Sequence, residues 1–312
     1  MEMLLQTLSG QIPVVGKCNF NDLAKRTSDF SGGDLRFLNI IITDVANGSL
    51  LFPAKPIHMQ HYEHLFLRNL PISACGDRSV WDRSDEKVVS MLSIVNYLID
   101  MLKMIEENST DDFVPYILKL LRLDTEPFRL KMQRRLVVQM PGGDLTSIPD
   151  LTVIKAMNIL LVDEDKSLVN TGEISQWGEY QLAGEMFTAL YANYRVDHKN
   201  IGPEYPVYGM RVVGSFFTFY KAWMPQEYIK AIFDEELDEE YDERGRRHVH
   251  LSQSLHIERY LSNTLRHLDS ADPFQVGKER MYVGLNYLDI EERKLIVSLL
   301  VSLKATFDLL AM

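Results

Sequence analysis

The sequence predicts an α/β fold in which helices flank a mixed β-sheet. Three observations support this prediction: a helical apolar pattern over residues 86–105, strand-like patterns between residues 128 and 162, and a further helix followed by two strands between residues 175 and 223. Alternation of helices with groups of strands is typical of chains that cover a central sheet with helices. With 312 residues, 46% of them hydrophobic, the chain can bury a normal core in one enlarged domain or in two.

Two helices are predicted ahead of the strands. The first begins after Ser84, a residue type that caps helix N-termini, and its apolar residues recur at the spacing of one helical face. Asn108 interrupts this pattern, and acidic residues then open a second helix over about 111–123, where they suit the positive end of the helix dipole. The apolar face of the first helix consists of Val88, Leu92, Val95, Ile99, Leu102 and Ile105.

Strand patterns follow these helices. Alternating apolar and polar residues over 128–140 predict one long strand, and the turn residues 141–144 separate it from a second strand over about 147–154. The continuous apolar run at 158–162 (NILLV) predicts a third strand that is buried on both faces. A helix over about 175–194, strands over 207–213 and 216–223, and C-terminal helices over about 250–268 and 290–310 complete the prediction.

Charged residues lie where the second and third predicted strands meet. Asp150 belongs to the second strand, and Glu164 and Lys166 close the third. If these strands pair as a hairpin, Asp150 and Glu164 point into the same space, and residues 164 and 166 share one face because strand side chains alternate. Two carboxylates suit Mg²⁺, and a neighbouring lysine can orient a water molecule and offset negative charge. The pattern indicates metal-dependent phosphodiester hydrolysis, although such trios are also common on protein surfaces.

Two neighbouring residues leave alternatives open. Asp163 competes with Glu164 as a metal ligand, and strand alternation favours Glu164 because Asp163 faces away from Lys166. The main-chain carbonyl of Asp165 is a further candidate ligand.

These residues resemble the motif of the PD-(D/E)XK nuclease superfamily. Pro149-Asp150 stands for PD, and Glu164-Asp165-Lys166 stands for (D/E)XK. The phrase ILLVDEDK is similar to the version in fungal members, including forms related to Crinkler-type effectors and mobile elements. The resemblance covers about residues 86–235 and implies a restriction-endonuclease-like core at about 105–235. It places this core in a nuclease-like domain, 86–312, with helical N- and C-terminal additions and a preceding region, 1–85, of unclear role.

The resemblance also implies roles for individual residues. Asp150 and Glu164 would hold Mg²⁺ or Mn²⁺, with Asp165 contributing to the metal site, and Lys166 would be the catalytic lysine. Gln181 would support the site from the following helix.

Two positions in the family pattern stay open. Some members of the superfamily carry a tyrosine four residues after the helix glutamine, and here that position is Glu185, which leaves its role in doubt. Many members add a carboxylate from the first helix, for which the candidates are Glu106, Glu107, Asp111 and Asp112.

The charge distribution bears on the partner. The net charge of −11 excludes a generic polycation, but the run 234–243 contributes eight negative charges and leaves −3 over the rest of the chain. Residues 119–135 hold six bases against two acids and therefore predict a local nucleic-acid contact, with a solvated surface as the alternative. The six bases are Lys119, Arg122, Arg129, Lys131, Arg134 and Arg135.

The sequence therefore predicts a metal-dependent nuclease for which DNA is favoured over RNA. The alternative is an inactive nuclease-fold module that binds nucleic acid or protein. The family resemblance also implies a role as a Crinkler-like effector or toxin that acts in a host nucleus. No signal or membrane-spanning pattern is seen, which predicts an intracellular protein, cytoplasmic or nuclear. The oligomeric state stays open, with a homodimer among the alternatives.

Overall fold

A computed structural model describes an α/β fold in which helices flank both faces of a large mixed sheet. The described residues are 18–54, 59–75, 77–82, 84–104, 109–140, 142–166, 178–233, 240–241, 247–249, 253–260 and 284–310.

Strands and helices are numbered in chain order. The strands are β1 Cys18–Asn19, β2 Ile40–Val45, β3 Phe128–Met132, β4 Leu136–Met140, β5 Gly143–Ser147, β6 Leu151–Lys155, β7 Asn158–Lys166, β8 Val207–Val213, β9 Phe216–Trp223, β10 Glu240–Tyr241, β11 Arg247–Val249, β12 Leu255–Tyr260 and β13 Leu285–Asn286. The helices are α1 Gly32–Phe37, α2 Gly48–Leu51, α3 Arg78–Trp81, α4 Glu86–Met104, α5 Ser109–Leu120, α6 Glu179–Val196, α7 Gln226–Phe233 and α8 Ile290–Leu310. Short 3₁₀ helices lie at Phe20–Asp22, Thr27–Asp29, Met59–Asn69 and Ile72–Ala74.

The main sheet has the strand order β2-β12-β9-β8-β7-β6-β3, and β13 also pairs with β9. Strands β7 and β8 are parallel neighbours joined through α6, and β12 and β2 form a second parallel pair. Their carboxyl ends all lie at the same edge of the sheet, because β9 runs antiparallel to both β8 and β12. Such an edge is where α/β proteins usually place a site.

The sheet separates two hydrophobic cores. One core contains the buried faces of α4, α5 and α8 together with residues from 59–75. The other contains those of α1, α6 and α7 and the hairpin formed by β4 and β5. Each strand of the sheet centre is consequently buried on both faces, as the apolar run of β7 predicts.

The predicted long strand over 128–140 is wrong, because it is divided between two sheets. β3 is an edge of the main sheet, whereas β4, among the described strands, pairs with β5 alone in a separate hairpin. Gln133 has a positive φ of 47°, which breaks the extended backbone between them. Two successive strands with the same alternation look like one strand in the sequence.

The predicted helix over 250–268 is also wrong in its described part. Residues 255–260 form β12, which pairs with β2 on one side and β9 on the other. The buried side chains of Leu255 and Ile257 follow the two-residue period of a strand. Residues 261–268 lie outside the described part of the chain.

Helices α4, α5 and α8 confirm the predicted helices near residues 86, 111 and 290. At the start of α4 the capping residue differs from the predicted Ser84. The Asp85 carboxylate accepts a hydrogen bond from the N–H of Val88 at 3.0 Å. Each cap places a side-chain oxygen where the helix leaves backbone donors without partners.

Residues before 86 take part in the main sheet and in both cores. β2 is an edge strand of the sheet, Leu65 and Leu67 are buried in one core, and Leu35 is buried in the other. Arg293 of α8 donates a hydrogen bond to the carbonyl of Leu70 at 2.6 Å. The division of the chain at residue 85 stays a prediction.

Asn193 fixes α6 against β7. Its side chain accepts a hydrogen bond from the N–H of Ile159 at 2.7 Å and donates one to the carbonyl of Ile159 at 2.8 Å. Ile159 lies beside the register shift between β6 and β7, where regular ladder pairing is interrupted. The amide therefore satisfies two buried main-chain groups and holds the helix that carries Gln181 and Glu185.

Replacement of Asn193 by alanine is expected to lower the free energy of unfolding by about 2–4 kcal/mol, because two buried main-chain groups lose their partners. Urea denaturation measures this change, and Arg195→Ala, on an exposed position of the same helix, is the control. A loss below about 0.5 kcal/mol, the usual range for surface changes, would show that Asn193 does not anchor the helix.

Candidate functional site

The candidate site lies at the carboxyl end of β7, where β6 begins and α6 starts. Leu151 pairs with Asp163 in the antiparallel β6–β7 ladder, so Asp150 and Glu164 are the next residues outward. Lys166 ends β7, and Gln181 and Glu185 lie in the first two turns of α6. The hairpin expected from the sequence is therefore present.

Asp150 is held by the main chain on both sides. Its Oδ2 accepts a hydrogen bond from the N–H of Asp165 at 2.9 Å, and its carbonyl accepts one from the N–H of Gln133 at 3.0 Å. The Asp150 carboxylate is thus bound to the end of β7, and the Asp150 carbonyl is bound to the segment that follows β3.

Glu164 and Lys166 project from the same face of β7. The Glu164 carboxylate is fully buried and forms an ion pair with the Lys166 ammonium, whose side chain is 27% exposed. Lys166 therefore connects a buried acid with solvent at the mouth of the site.

Glu185 is the carboxylate that the sequence left in doubt. It is fully buried on α6, and its Oε1 accepts a hydrogen bond from Nε2 of Gln181 at 3.1 Å. Its carboxyl group also lies within hydrogen-bonding reach of Glu164. The structure therefore brings Glu185 together with Asp150, Glu164, Lys166 and Gln181, whose roles stay predictions.

Burial changes the protonation of these acids. It raises the pKa of Glu164 to about 7; the nearby charge of Asp150 raises it too, and Lys166 opposes the change. Burial raises the pKa of Glu185 well above its ordinary range, with repulsion from Glu164 as the next cause. Burial would lower the pKa of Lys166, but the contact with Glu164 outweighs it and the net direction is upward. Both glutamates are therefore shifted towards the protonated form relative to solvent-exposed carboxyl groups.

The donor chemistry of the site fits a hard divalent cation. Asp150, Glu164 and Glu185 supply carboxylate oxygens that meet at one place, and two of these acids are fully buried. A bound cation would offset the negative charge of these carboxylates, whose protonated forms are otherwise favoured by burial. Across the described ranges, no group of three or more His, Cys, Asp or Glu side chains is already arranged as a metal centre.

Asp163 and Asp165 lie on the other face of β7. Asp163 is fully buried, and its register neighbours Leu151 and Met210 belong to the core below α5. This placement agrees with strand alternation and keeps the Asp163 side chain apart from Lys166. Asp165 reaches the site through its main chain, which donates to Asp150.

The carboxylates proposed from the first helix do not join this arrangement among the described residues. Asp112 is exposed on α5, which packs on the opposite face of the sheet from α6. Glu106 and Glu107 lie outside the described residues, as does the side chain of Asp111. The additional carboxylate close to Glu164 comes instead from α6.

One sequence signal could have identified Glu185. Gln181 and Glu185 are four residues apart and share a helical face, and Glu185 is flanked by apolar residues that are buried. A charged residue in an apolar part of a helix requires a partner or a function.

The six predicted basic residues fall into two groups. Arg129 and Lys131 lie on β3, and Arg134 and Arg135 follow it, next to Asp150. The remaining two, Lys119 and Arg122, precede Phe128, the end of β3 that pairs with Lys155 at the far end of β6.

A second polar cluster supports the start of α6. The Glu179 carboxylate accepts hydrogen bonds from Arg259 at 2.8 and 3.1 Å and from the hydroxyl of Tyr220 at 2.8 Å. Arg259 also donates to Asp44 at 2.7 Å. These contacts fix the first turn of α6 to β9, β12 and β2, and thereby fix the position of Gln181.

Comparison with models of known protein families and with curated proteins finds no match for this chain. The described helices, α8 included, also lack the uninterrupted apolar length that a bilayer crossing requires.

Replacement of Glu185 by glutamine is expected to stabilise the metal-free protein at pH 8 by about 1–3 kcal/mol. Because the pKa values of Glu164 and Glu185 are raised in the folded state, folding retains protons, and stability falls as pH rises from about 4.5 through about 7. The gain should therefore shrink towards pH 5. Urea denaturation in EDTA measures it, with the exposed Asp112→Asn as control, and a gain independent of pH would contradict the assignment.

Gly178 packs over the site and constrains it. Its φ is +81°, and a Cβ there would lie 3.3 Å from Cγ of Lys166 and 3.5 Å from Cγ of Glu164. We expect Gly178→Ala to cost about 1–2 kcal/mol of unfolding free energy through backbone strain. Thermal denaturation compares it with Gly33→Ala, where φ is not positive; equal stabilities of the two variants would show that the position is permissive.

Proposed function

We propose that this chain is a metal-dependent nuclease of PD-(D/E)XK type with a restriction-endonuclease-like core. The observation that carries the proposal is the meeting of Asp150, Glu164 and Lys166 at one sheet edge, with Glu164 buried and its pKa raised. Buried acids with perturbed protonation are expected at functional sites more often than in an inert surface cluster. DNA is the favoured substrate and RNA the second.

Asp150 and Glu164 would hold Mg²⁺ or Mn²⁺, with Glu185 beside them and the main chain of Asp165 on the same side. When bound, the cation would lower the pKa of a water molecule and polarise the phosphate. Gln181 keeps one oxygen of Glu185 occupied at 3.1 Å and so orients that carboxylate.

Lys166 supplies positive charge at the mouth of the site. Its pKa is raised by Glu164, so the side chain carries an ammonium group at neutral pH. This group can donate hydrogen bonds to an attacking water and to phosphate oxygens, where it offsets the negative charge that develops as the phosphodiester bond breaks. Lys166 is therefore assigned to orientation and charge stabilisation.

Replacement of Asp150 by Asn, Glu164 by Gln or Lys166 by Met is expected to lower nuclease activity at least about 100-fold, because each change removes charge at the reacting centre. The assay incubates the purified full chain with single-stranded DNA, duplex DNA and RNA in Mg²⁺ or Mn²⁺.

The matched controls are Asp112→Asn, an exposed acid on α5, and Lys294→Met, a half-buried lysine on α8 whose side chain is 42% exposed, both of which should keep wild-type activity. Circular dichroism verifies that each variant folds. An inactive wild-type protein, or site variants as active as wild type, would refute the nuclease assignment. Binding without turnover would instead favour an inactive nuclease-fold module.

A further inference from the structure

We propose that the Lys166 ammonium and a divalent cation compete for the Glu164 carboxylate, so that Lys166 becomes free to contact the substrate only when a cation takes its place. The inference rests on the proposed function, because it assigns an order of events to the same site. It is carried by the direct contact between Lys166 and Glu164 and by the position of this lysine between a fully buried acid and solvent.

The Lys166 side chain points inward, although it starts at the edge of the sheet. Lys166 is the last residue of β7 and lies about 7 Å beyond Glu164 along the strand. Its ammonium nevertheless contacts Oε1 of Glu164, so the side chain bends back along β7. The charge that we assign to the substrate phosphate is therefore held by the acid that we assign to the cation.

The surroundings of Glu164 explain why the lysine bends inward. Glu164 lies within hydrogen-bonding reach of Glu185, and both glutamates are fully buried, whereas the side chain of Lys166 is 27% exposed. A carboxylate in such surroundings requires a compensating positive charge, and the ammonium supplies it. Lys166 thus occupies a position that also suits a metal cation.

The ammonium and a divalent cation would not both remain beside this carboxylate. Mg²⁺ binds carboxylate oxygens at about 2.1 Å, so an ammonium still in contact with Glu164 would lie about 4–5 Å from the ion. Like charges at this separation repel strongly in a buried environment. Because the divalent ion carries the larger charge, we expect it to displace the ammonium.

The main chain of Lys166 is fixed, but its side chain has room to rotate. The carbonyl of Lys166 accepts a hydrogen bond from the N–H of Gly214 at 2.9 Å, and the residue pairs in register with Val213 of β8. The stem of a lysine is a flexible four-carbon chain. Gly178, which packs against this stem, has no side chain of its own to block it. Rotation about side-chain bonds therefore moves the ammonium outward without displacing the strand.

This movement places the ammonium at the mouth of the site, where a phosphate must lie to meet the cation. There it donates hydrogen bonds to phosphate oxygens. Lys166 thus has two positions with different partners, a buried carboxylate in one and the substrate in the other. The charge stabilisation proposed for Lys166 consequently depends on the cation that releases it.

Isothermal titration calorimetry with Mn²⁺ on the full chain, without nucleic acid, tests the competition. Lys166→Met keeps an unbranched stem and removes the charge, so we expect it to bind Mn²⁺ about tenfold more tightly than wild type. Lys166→Arg keeps a positive charge beside Glu164 and should bind Mn²⁺ no more tightly than wild type. The matched control is Lys155→Met, about 16 Å from Asp150 along β6, which should keep wild-type affinity.

Chemical modification measures the release of the lysine directly. An amine-reactive ester is added with and without Mn²⁺, and peptide mass spectrometry follows the modification of each lysine. We expect Mn²⁺ to speed the modification of Lys166 at least about fivefold, because the side chain leaves a buried ion pair for solvent, and to leave Lys155 unchanged. In Glu164→Gln, which lacks the partner charge, Lys166 should react fast with and without Mn²⁺.

Two results would overturn the inference: equal or weaker Mn²⁺ binding by Lys166→Met, or a modification rate of Lys166 that Mn²⁺ does not change. Either would show that lysine and cation bind the site side by side. Failure of the proposed function is distinguishable. The expected binding and modification without cleavage of nucleic acid contradict the nuclease alone, whereas cleavage without a gain of Mn²⁺ affinity in Lys166→Met contradicts the inference alone. Absence of Mn²⁺ binding in every variant contradicts both.

Discussion

The burial of two acids against each other is the constraint on which the site depends. Glu164 and Glu185 are fully buried, on a strand and on the helix that covers it, with the ammonium of Lys166 as their adjacent cation. Placing two carboxylates in a low-dielectric interior is costly unless a proton or a cation offsets their charge. The raised pKa values of both acids express this cost, and a divalent cation would offset it more fully than a shared proton.

The fold is built to keep these acids close. Asn193 fixes α6 to β7, and two glycines allow the helix to approach its neighbours: a Cβ on Gly209 would lie 2.6 Å from Sδ of Met186, and one on Gly184 would lie 2.7 Å from the Phe30 ring. Glu179 ties the first turn of the helix to β9 and β12. These contacts hold Glu164 and Glu185 close together although their negative charges repel, as expected of a preorganised site.

The part of the site that lies on adjacent strands could be predicted from sequence, because alternation and hairpin pairing are local rules. Asp150, Glu164 and Lys166 needed only the β6–β7 register. Glu185 required knowledge of which face of α6 meets the sheet, which is set by tertiary packing. The same limit applies to the fold: residues 255–260 become a strand because β2 and β9 provide partners on both sides, and the break at Gln133 lies where its N–H meets the carbonyl of Asp150, a residue distant in the sequence.

Anomalous diffraction from a crystal soaked in Mn²⁺ tests the central claim most directly, because it locates a cation independently of activity. The account predicts one strong peak at the carboxyl end of β7, about 2.1 Å from oxygens of Asp150 and Glu164, the distance expected for Mg²⁺, which Mn²⁺ replaces. The peak should disappear in Glu164→Gln. A crystal without a peak at this edge of the sheet, or with one that persists in the variant, would contradict the account.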